Sequence, residues 1–153
     1  MNIGLPRLSL CVAIAIFVML GACKERAKTR QAPEYQTEKY FIQLASVVAE
    51  ERRVDYGQPP ADLAELLSLL DKRSSQETLV KRQFFDKNGA DGLVYGFSSG
   101  RYWMYVKRPF EYHGKLSFLC ADAEKGVHWL AAENEQVLLS QLQASGKDPS
   151  ETK

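Results

Sequence analysis

The chain has 153 residues, with 20 lysines and arginines against 19 aspartates and glutamates and a formal net charge of +1. A balanced chain with no basic face lacks the electrostatic footprint of a nucleic-acid binder. Seven tyrosines, seven phenylalanines and two tryptophans exclude a chain too polar to fold, and the length fits one domain with a real core.

Residues 1–7 carry one charged side chain, Arg7, and residues 8–20 form an uncharged apolar run of 13 residues. A membrane-crossing helix needs about 20 apolar residues, whereas the core of a secretory signal needs about 7–15, so this run reads as a signal peptide. It ends in Leu20-Gly21-Ala22-Cys23. That tetrapeptide resembles the lipobox of bacterial lipoprotein precursors: an aliphatic residue, two small ones that let a peptidase reach the backbone, and a nucleophilic thiol. The resemblance implies cleavage between Ala22 and Cys23, diacylglycerol on the Cys23 thiol and acylation of the new amino terminus. Several acyl chains give stable anchoring, at about 0.8 kcal/mol per buried methylene. The expected product is held by lipid in the bacterial cell envelope and faces the periplasm. Cys11 follows Leu10, where the pattern needs a small residue. In the family's sorting rule, Lys24 in place of Asp after the lipidated cysteine points to the outer membrane.

Without residues 1–22 the chain keeps 19 basic and 19 acidic side chains and two cysteines, Cys23 and Cys120. With Cys23 on lipid, Cys120 has no intramolecular disulfide partner, despite the oxidising address. A lone cysteine in an apolar run reads as a buried small hydrophobe; an intermolecular disulfide or a reactive thiol is the alternative. Residues 24–33 are polar and charged and read as a tether, with the folded domain over residues 35–144 and a frayed polar tail over 145–153.

Helical spacing of Tyr40, Phe41, Leu44, Ala45, Val47 and Val48 predicts a first helix from Tyr35 to about Asp55, stopped by Gly57 and Pro59-Pro60. A second helix is expected from near Pro60, with Leu63, Leu66, Leu67 and Leu70 as its apolar stripe. The stripe reads as core, with a partner-helix surface as the alternative. Residues 74–85 are ambiguous, with a short third helix possible in the pattern. Asp86-Lys87-Asn88-Gly89-Ala90-Asp91-Gly92 has the look of a calcium loop but fails its spacing: from Asp86, position 5 is Ala90, position 6 is Asp91 and position 12 is Phe97. A turn rich in Asn-Gly and Asp-Gly is the better reading.

From Leu93 the period changes to two. Strands are expected over residues 93–98, 101–108, 115–121 and 127–130, with a loop over 108–114. In the second strand Tyr102, Met104 and Val106 face one way and Trp103, Tyr105 and Lys107 the other. A last helix is expected over residues 133–144. The fold class is therefore α+β: amino-terminal helices packed on a four-stranded antiparallel meander, with a short carboxy-terminal helix.

Tyr56-Gly57-Gln58-Pro59-Pro60 before Asp62-Leu63, then Gly92-Leu93-Val94-Tyr95-Gly96-Phe97 and the segments 102–109 and 118–127, give residues 35–130 a pattern similar to the soluble half of type IV pilin-like proteins. The resemblance implies a helix on one face of a meander. It departs at the head, where a lipobox replaces the long apolar helix through which pilins polymerise.

No Gly-x-Ser-x-Gly, His-Glu-x-x-His, Cys-x-x-Cys or phosphate-binding glycine loop occurs. Glu111 and His113 could form half of an acid–base site, but a solvent-facing loop pair is the simpler reading. No catalytic, metal or cofactor site is expected. If Tyr102, Met104 and Val106 face the core, Trp103 and Tyr105 lie on the other sheet face with His128 and Leu130. There they either anchor a partner or ligand or are covered by the carboxy-terminal helix. The expected role is non-enzymatic interaction with an envelope protein. A periplasmic module for a small ligand or glycan, and an unrecognised hydrolase or transferase, are the alternatives.

Overall fold

A computed structural model of the chain describes residues 35–98, 100–112 and 115–144. The expected lipobox with Ala22 and Cys23, the expected tether, His113 and residues 145–153 lie outside these residues.

Helix α1 spans Gln36–Tyr56 and buries Phe41, Ile42, Ala45, Val48 and Ala49, recurring every three or four residues on one face. Tyr40 and Val47, grouped with that face on sequence spacing, instead point away from the core. They are neighbours in sequence of buried residues, but at about 100° per residue they fall nearly half a turn from the centre of the buried face. Gly57 ends the helix at φ +77, a conformation that L side chains rarely adopt.

Helix α2 is Leu63–Asp71, beginning later than Pro60 because Asp62 caps it: its Oδ1 accepts the Glu65 amide at 2.8 Å. The Glu65 carboxylate in turn accepts the Ala61 amide at 2.8 Å. Leu66 and Leu70 are fully buried and Leu63 and Leu67 pack beside them, so the leucine stripe is core.

Helix α3 resolves the ambiguous stretch into 14 residues, Ser75–Asn88. Ser74 and Glu77 form a reciprocal capping box that fixes its start. It runs through Asp86, Lys87 and Asn88, which had read as turn, and ends at Gly89 with φ +81.

The sheet has five strands: β1 Leu93–Ser98, β2 Arg101–Val106, β3 Phe110–Tyr112, β4 Lys115–Asp122 and β5 Gly126–Ala131. All pairings are antiparallel: β1 with β2, β2 and β3 with β4, β4 with β5. The four-stranded meander is thus corrected. Tyr105 sits opposite Cys120 and Phe110 opposite Ser117, so five residues advance on one side while three advance on the other. The two extra residues form a bulge at 107–109, where Pro109 has no N–H to give to a ladder. The predicted strand 101–108 therefore stops at Val106, and the pairing resumes as β3. Helix α4, Glu135–Ala144, follows the sheet and starts two residues later than expected, with the Asn134 side chain accepting the Val137 amide.

The sheet separates two cores. On one face Tyr102, Met104, Val106, Leu119 and Ala121 pack with α1, α2 and α3. Phe41 and Phe84 stack there with ring centroids 4.1 Å apart, and Phe85 meets both edge-on. On the other face Tyr105, Phe118 and Cys120 pack with Leu138 and Leu142 of α4.

Ion pairs lace the three amino-terminal helices. Arg52 meets Glu65 at 3.1 Å, Arg73 meets both Glu51 (2.5 Å) and Glu77 (2.9 Å), and Lys81 meets Asp71 at 2.6 Å. The Glu38 carboxylate in the first turn of α1 is fully buried and accepts from Lys87 and Asn88 at the end of α3.

Hydrogen bonds from Arg53 hold the Glu50 carboxyl below its ordinary range. The Ala61 amide and then Arg52 do the same for Glu65, and the Ser74 hydroxyl and amide, with Arg73, for Glu77. A carboxyl lowered in the fold stabilises it above the unfolded value, about 4.3 for glutamate. That contribution disappears as pH falls through the lower folded values. Melting temperature should therefore change little from pH 7 to pH 5 on this account and fall below about pH 4. In a chain with Glu50, Glu65 and Glu77 all changed to Gln, the acid loss measured by circular dichroism should be shallower.

Candidate functional site

The aromatic face predicted from the strand period is real as geometry. Trp103 lies opposite Gly96 and Asp122, Tyr105 opposite Val94 and Cys120, and Cys120 opposite His128. Residues directly opposite share a face, so Trp103, Tyr105, Cys120, Asp122 and His128 lie together on the face that carries α4.

Tyr105 is not available as a surface anchor. It is fully buried, its ring meets Phe118 edge-on, and its hydroxyl donates to Glu135 Oε1 at 2.5 Å. Burial, then the Glu135 carboxylate, pushes the phenol far above its ordinary value, so it stays protonated as a donor. Trp103 is half-buried and stacks beside Tyr105 with centroids 6.3 Å apart. Its indole lies flat over Gly96: a Cβ placed there would sit 2.0–2.4 Å from three ring atoms. The indole Nε1 is buried and has no hydrogen-bond partner.

Cys120, His128 and Asp122 bring a thiol, an imidazole and a carboxylate onto one face, the residue types of a nucleophilic triad. Their directions do not make one. His128 Nδ1 lies 2.9 Å from the Gly126 carbonyl oxygen and Nε2 lies 3.6 Å from Asp122 Oδ2, so both ring nitrogens are engaged by oxygens and neither is hydrogen-bonded to the thiol. Asp122 Oδ1 accepts the Glu124 and Lys125 amides at 2.8 and 2.7 Å, which shapes the β4–β5 turn. The Cys120 thiol is fully buried and donates toward the Phe118 carbonyl at 3.5 Å. Burial, with Asp122 adding to it, pushes its pKa up to about 12. A thiol in that state is a packing group and not a nucleophile.

The sequence reading missed three participants on this face: Glu135, Gly96 and Asp122. Gly96 carried a signal, since an isolated glycine in a strand marks close approach of another group. Among the described residues no group of three or more His, Cys, Asp and Glu side chains is placed to hold a metal ion, and no helix is long and apolar enough to cross a membrane.

The outward pole of α1, directly opposite its buried face, carries Tyr40, Val47 and Val54 at seven-residue spacing, 61%, 44% and 68% exposed. Exposed apolar side chains also occur at Leu116 and Val137, which flank a shallow hollow between the end of the sheet and α4. Compared with known protein families, curated proteins and solved structures, the chain matches none.

In a chain with Cys11 and Cys23 changed to Ser, Cys120 is the only thiol. It should resist a thiol reagent at pH 8 in the native state and react stoichiometrically after denaturation, as followed by absorbance. Tyr105→Phe should cost about 1.5–3 kcal/mol in urea unfolding, the usual size of a hydrogen bond to a charged group. Gly96→Ala should cost about 1–3 kcal/mol through overpacking against Trp103, and a smaller side chain at position 103 should recover part of that loss.

Proposed function

We propose that this is a lipid-anchored bacterial envelope protein whose α+β domain engages a protein partner and has no catalysis of its own. The observation that carries the reading is the 13-residue apolar run ending in Leu20-Gly21-Ala22-Cys23. Cys23 takes the lipid, the domain faces the periplasm on its tether, and Lys24 favours the outer membrane. The binding half of the reading is supported by the apolar pole of α1. Three large apolar side chains at seven-residue spacing on the back of a helix have no role in the core and suit contact with another surface. Trp103, Tyr105 and His128 serve the reading less well, because α4 and the β4–β5 turn already use their face.

The anchoring half is tested by metabolic labelling with a radiolabelled fatty acid. The wild-type chain should incorporate label and sediment with membranes, and Cys23→Ser should do neither. Label on the Cys23→Ser chain, or a soluble wild type, would overturn it. The binding half is tested with a photo-crosslinking residue at position 47, compared with position 79 on exposed Leu79 of α3. A discrete adduct with one envelope protein from position 47 alone is expected, and equal yields from the two positions would defeat the assignment.

A further inference from the structure

On one side the sheet ends in β1, whose edge the chain closes itself: Leu93 is 2% exposed and α2 lies against the strand. On the other side it ends in β5, which is hydrogen-bonded only to β4 and has no buried residue. The Ala132 amide donates to the Leu116 carbonyl at 3.1 Å, which fixes the phase of that ladder. Gly126, His128 and Leu130 therefore turn their backbone groups toward β4, and Val127, Trp129 and Ala131 turn theirs outward. Among the described residues, no backbone hydrogen bond uses the outward groups of Val127 or Ala131.

Proteins blunt such an edge with lysine, proline, bulges or very short strands. β5, Gly-Val-His-Trp-Leu-Ala, has no lysine and no proline, and it keeps unbroken register with β4 along its whole length. Trp129 is 41% exposed although its ring meets Phe110 at 5.6 Å between centroids, and Ala131 is exposed as well. Two charges bracket the strand: Lys125 lies four residues before Trp129 and Glu133 four residues after it. Both are exposed, and among the described residues neither is in an ion pair. The glutamate that pairs with Arg101 is the neighbouring Glu124.

We propose that β5 is a homodimer joint, in which a second copy of the chain adds its own β5 antiparallel to this one about a twofold axis through Trp129. Backbone phase, side chains and charges agree on that register. The axis passes through an outward-facing residue, so Val127 and Ala131 of the partner subunit exchange N–H and C=O groups in one hydrogen-bonded pair, and the twofold repeats the pair at the other end. The two exposed indoles meet at the axis, each keeping its Phe110 contact, and cover one another. His128 falls opposite Leu130 of the partner subunit, so no like charges are set against each other within the strands. At each end the same register brings Lys125 opposite Glu133 of the partner subunit, which gives both charges a partner. The two five-stranded sheets become one of ten strands.

This inference goes beyond the envelope reading and does not depend on it. The test is sedimentation equilibrium of the full chain in density-matched detergent, on wild type and on Cys23→Ser, from micromolar to submillimolar protein. Both should show a concentration-dependent monomer–dimer equilibrium. Ala131→Pro removes an outward N–H that β4 does not use. It should weaken dimerisation at least about tenfold, through two lost hydrogen bonds, with far-ultraviolet circular dichroism unchanged. Lys125→Glu and Glu133→Lys, both on the surface, should each weaken the dimer severalfold, and the double reversal should restore it. Chains that stay monomeric throughout would overturn the proposal. So would a dimer indifferent to Ala131→Pro, a double reversal as weak as the single ones, or a dimer lost in Val47→Lys and kept in Ala131→Pro, which would place the joint on α1.

Discussion

Met104 and Tyr105 are neighbours in the chain, and both are fully buried, on opposite faces of one strand. The rest of the domain depends on that alternation. Because the side-chain period of a strand is two, a slip of one residue in β2 would drive Tyr105 into the helical core beside Phe41 and turn Met104 toward Glu135. Both cores therefore vote for the same register. The bulge at 107–109 lets β2 stop serving two cores at Val106 while the chain stays on the same edge of β4 as β3.

Three tyrosine hydroxyls then tie the sheet to its surroundings. Tyr102 donates to the Ser46 carbonyl at 3.2 Å and lies 3.0 Å from the Ser46 hydroxyl, which locks α1 to the sheet. Tyr95 donates to the Pro60 carbonyl at 2.6 Å and fixes the loop that leads into α2. Tyr105 reaches Glu135 at the start of α4. Each ring is an apolar body that belongs in a core and each hydroxyl is a donor that must be satisfied there. Burial is the main cause that raises all three phenols above their ordinary value, so they stay donors throughout the physiological range.

The sequence was most legible where one signal dominates. The period-two pattern of residues 101–106 placed Trp103 and Tyr105 on one face and Tyr102, Met104 and Val106 on the other, and the pairings agree. The α3 start was legible too, in Ser74 and Glu77, but a capping box is a local signal easily lost beside weak apolar periodicity. What could not be read was which face of α1 wins. Tyr40, Val47 and Val54 are as apolar as Phe41, Ala45 and Val48, and only the three-dimensional fit of the second set against Phe84 and Met104 decides. The site shows the same limit in a sharper form. Cys120, Asp122 and His128 are placed together by register, yet chemistry depends on where Nδ1, Nε2 and the thiol point, and side-chain direction is set by the β4–β5 turn.

Both faces of the sheet are occupied by the chain's own helices, and this restricts how the domain can meet anything else. A partner cannot stack on the sheet without displacing α4 from Leu138 and Leu142 or opening the larger core. The surfaces that remain are the backs of helices and the edges of the sheet. α1 offers apolar side chains on a rigid, ion-paired support, where recognition is by shape and area. The Tyr40, Val47 and Val54 pole lies on the back of α1, so contact there leaves both sheet faces packed by the chain's own helices.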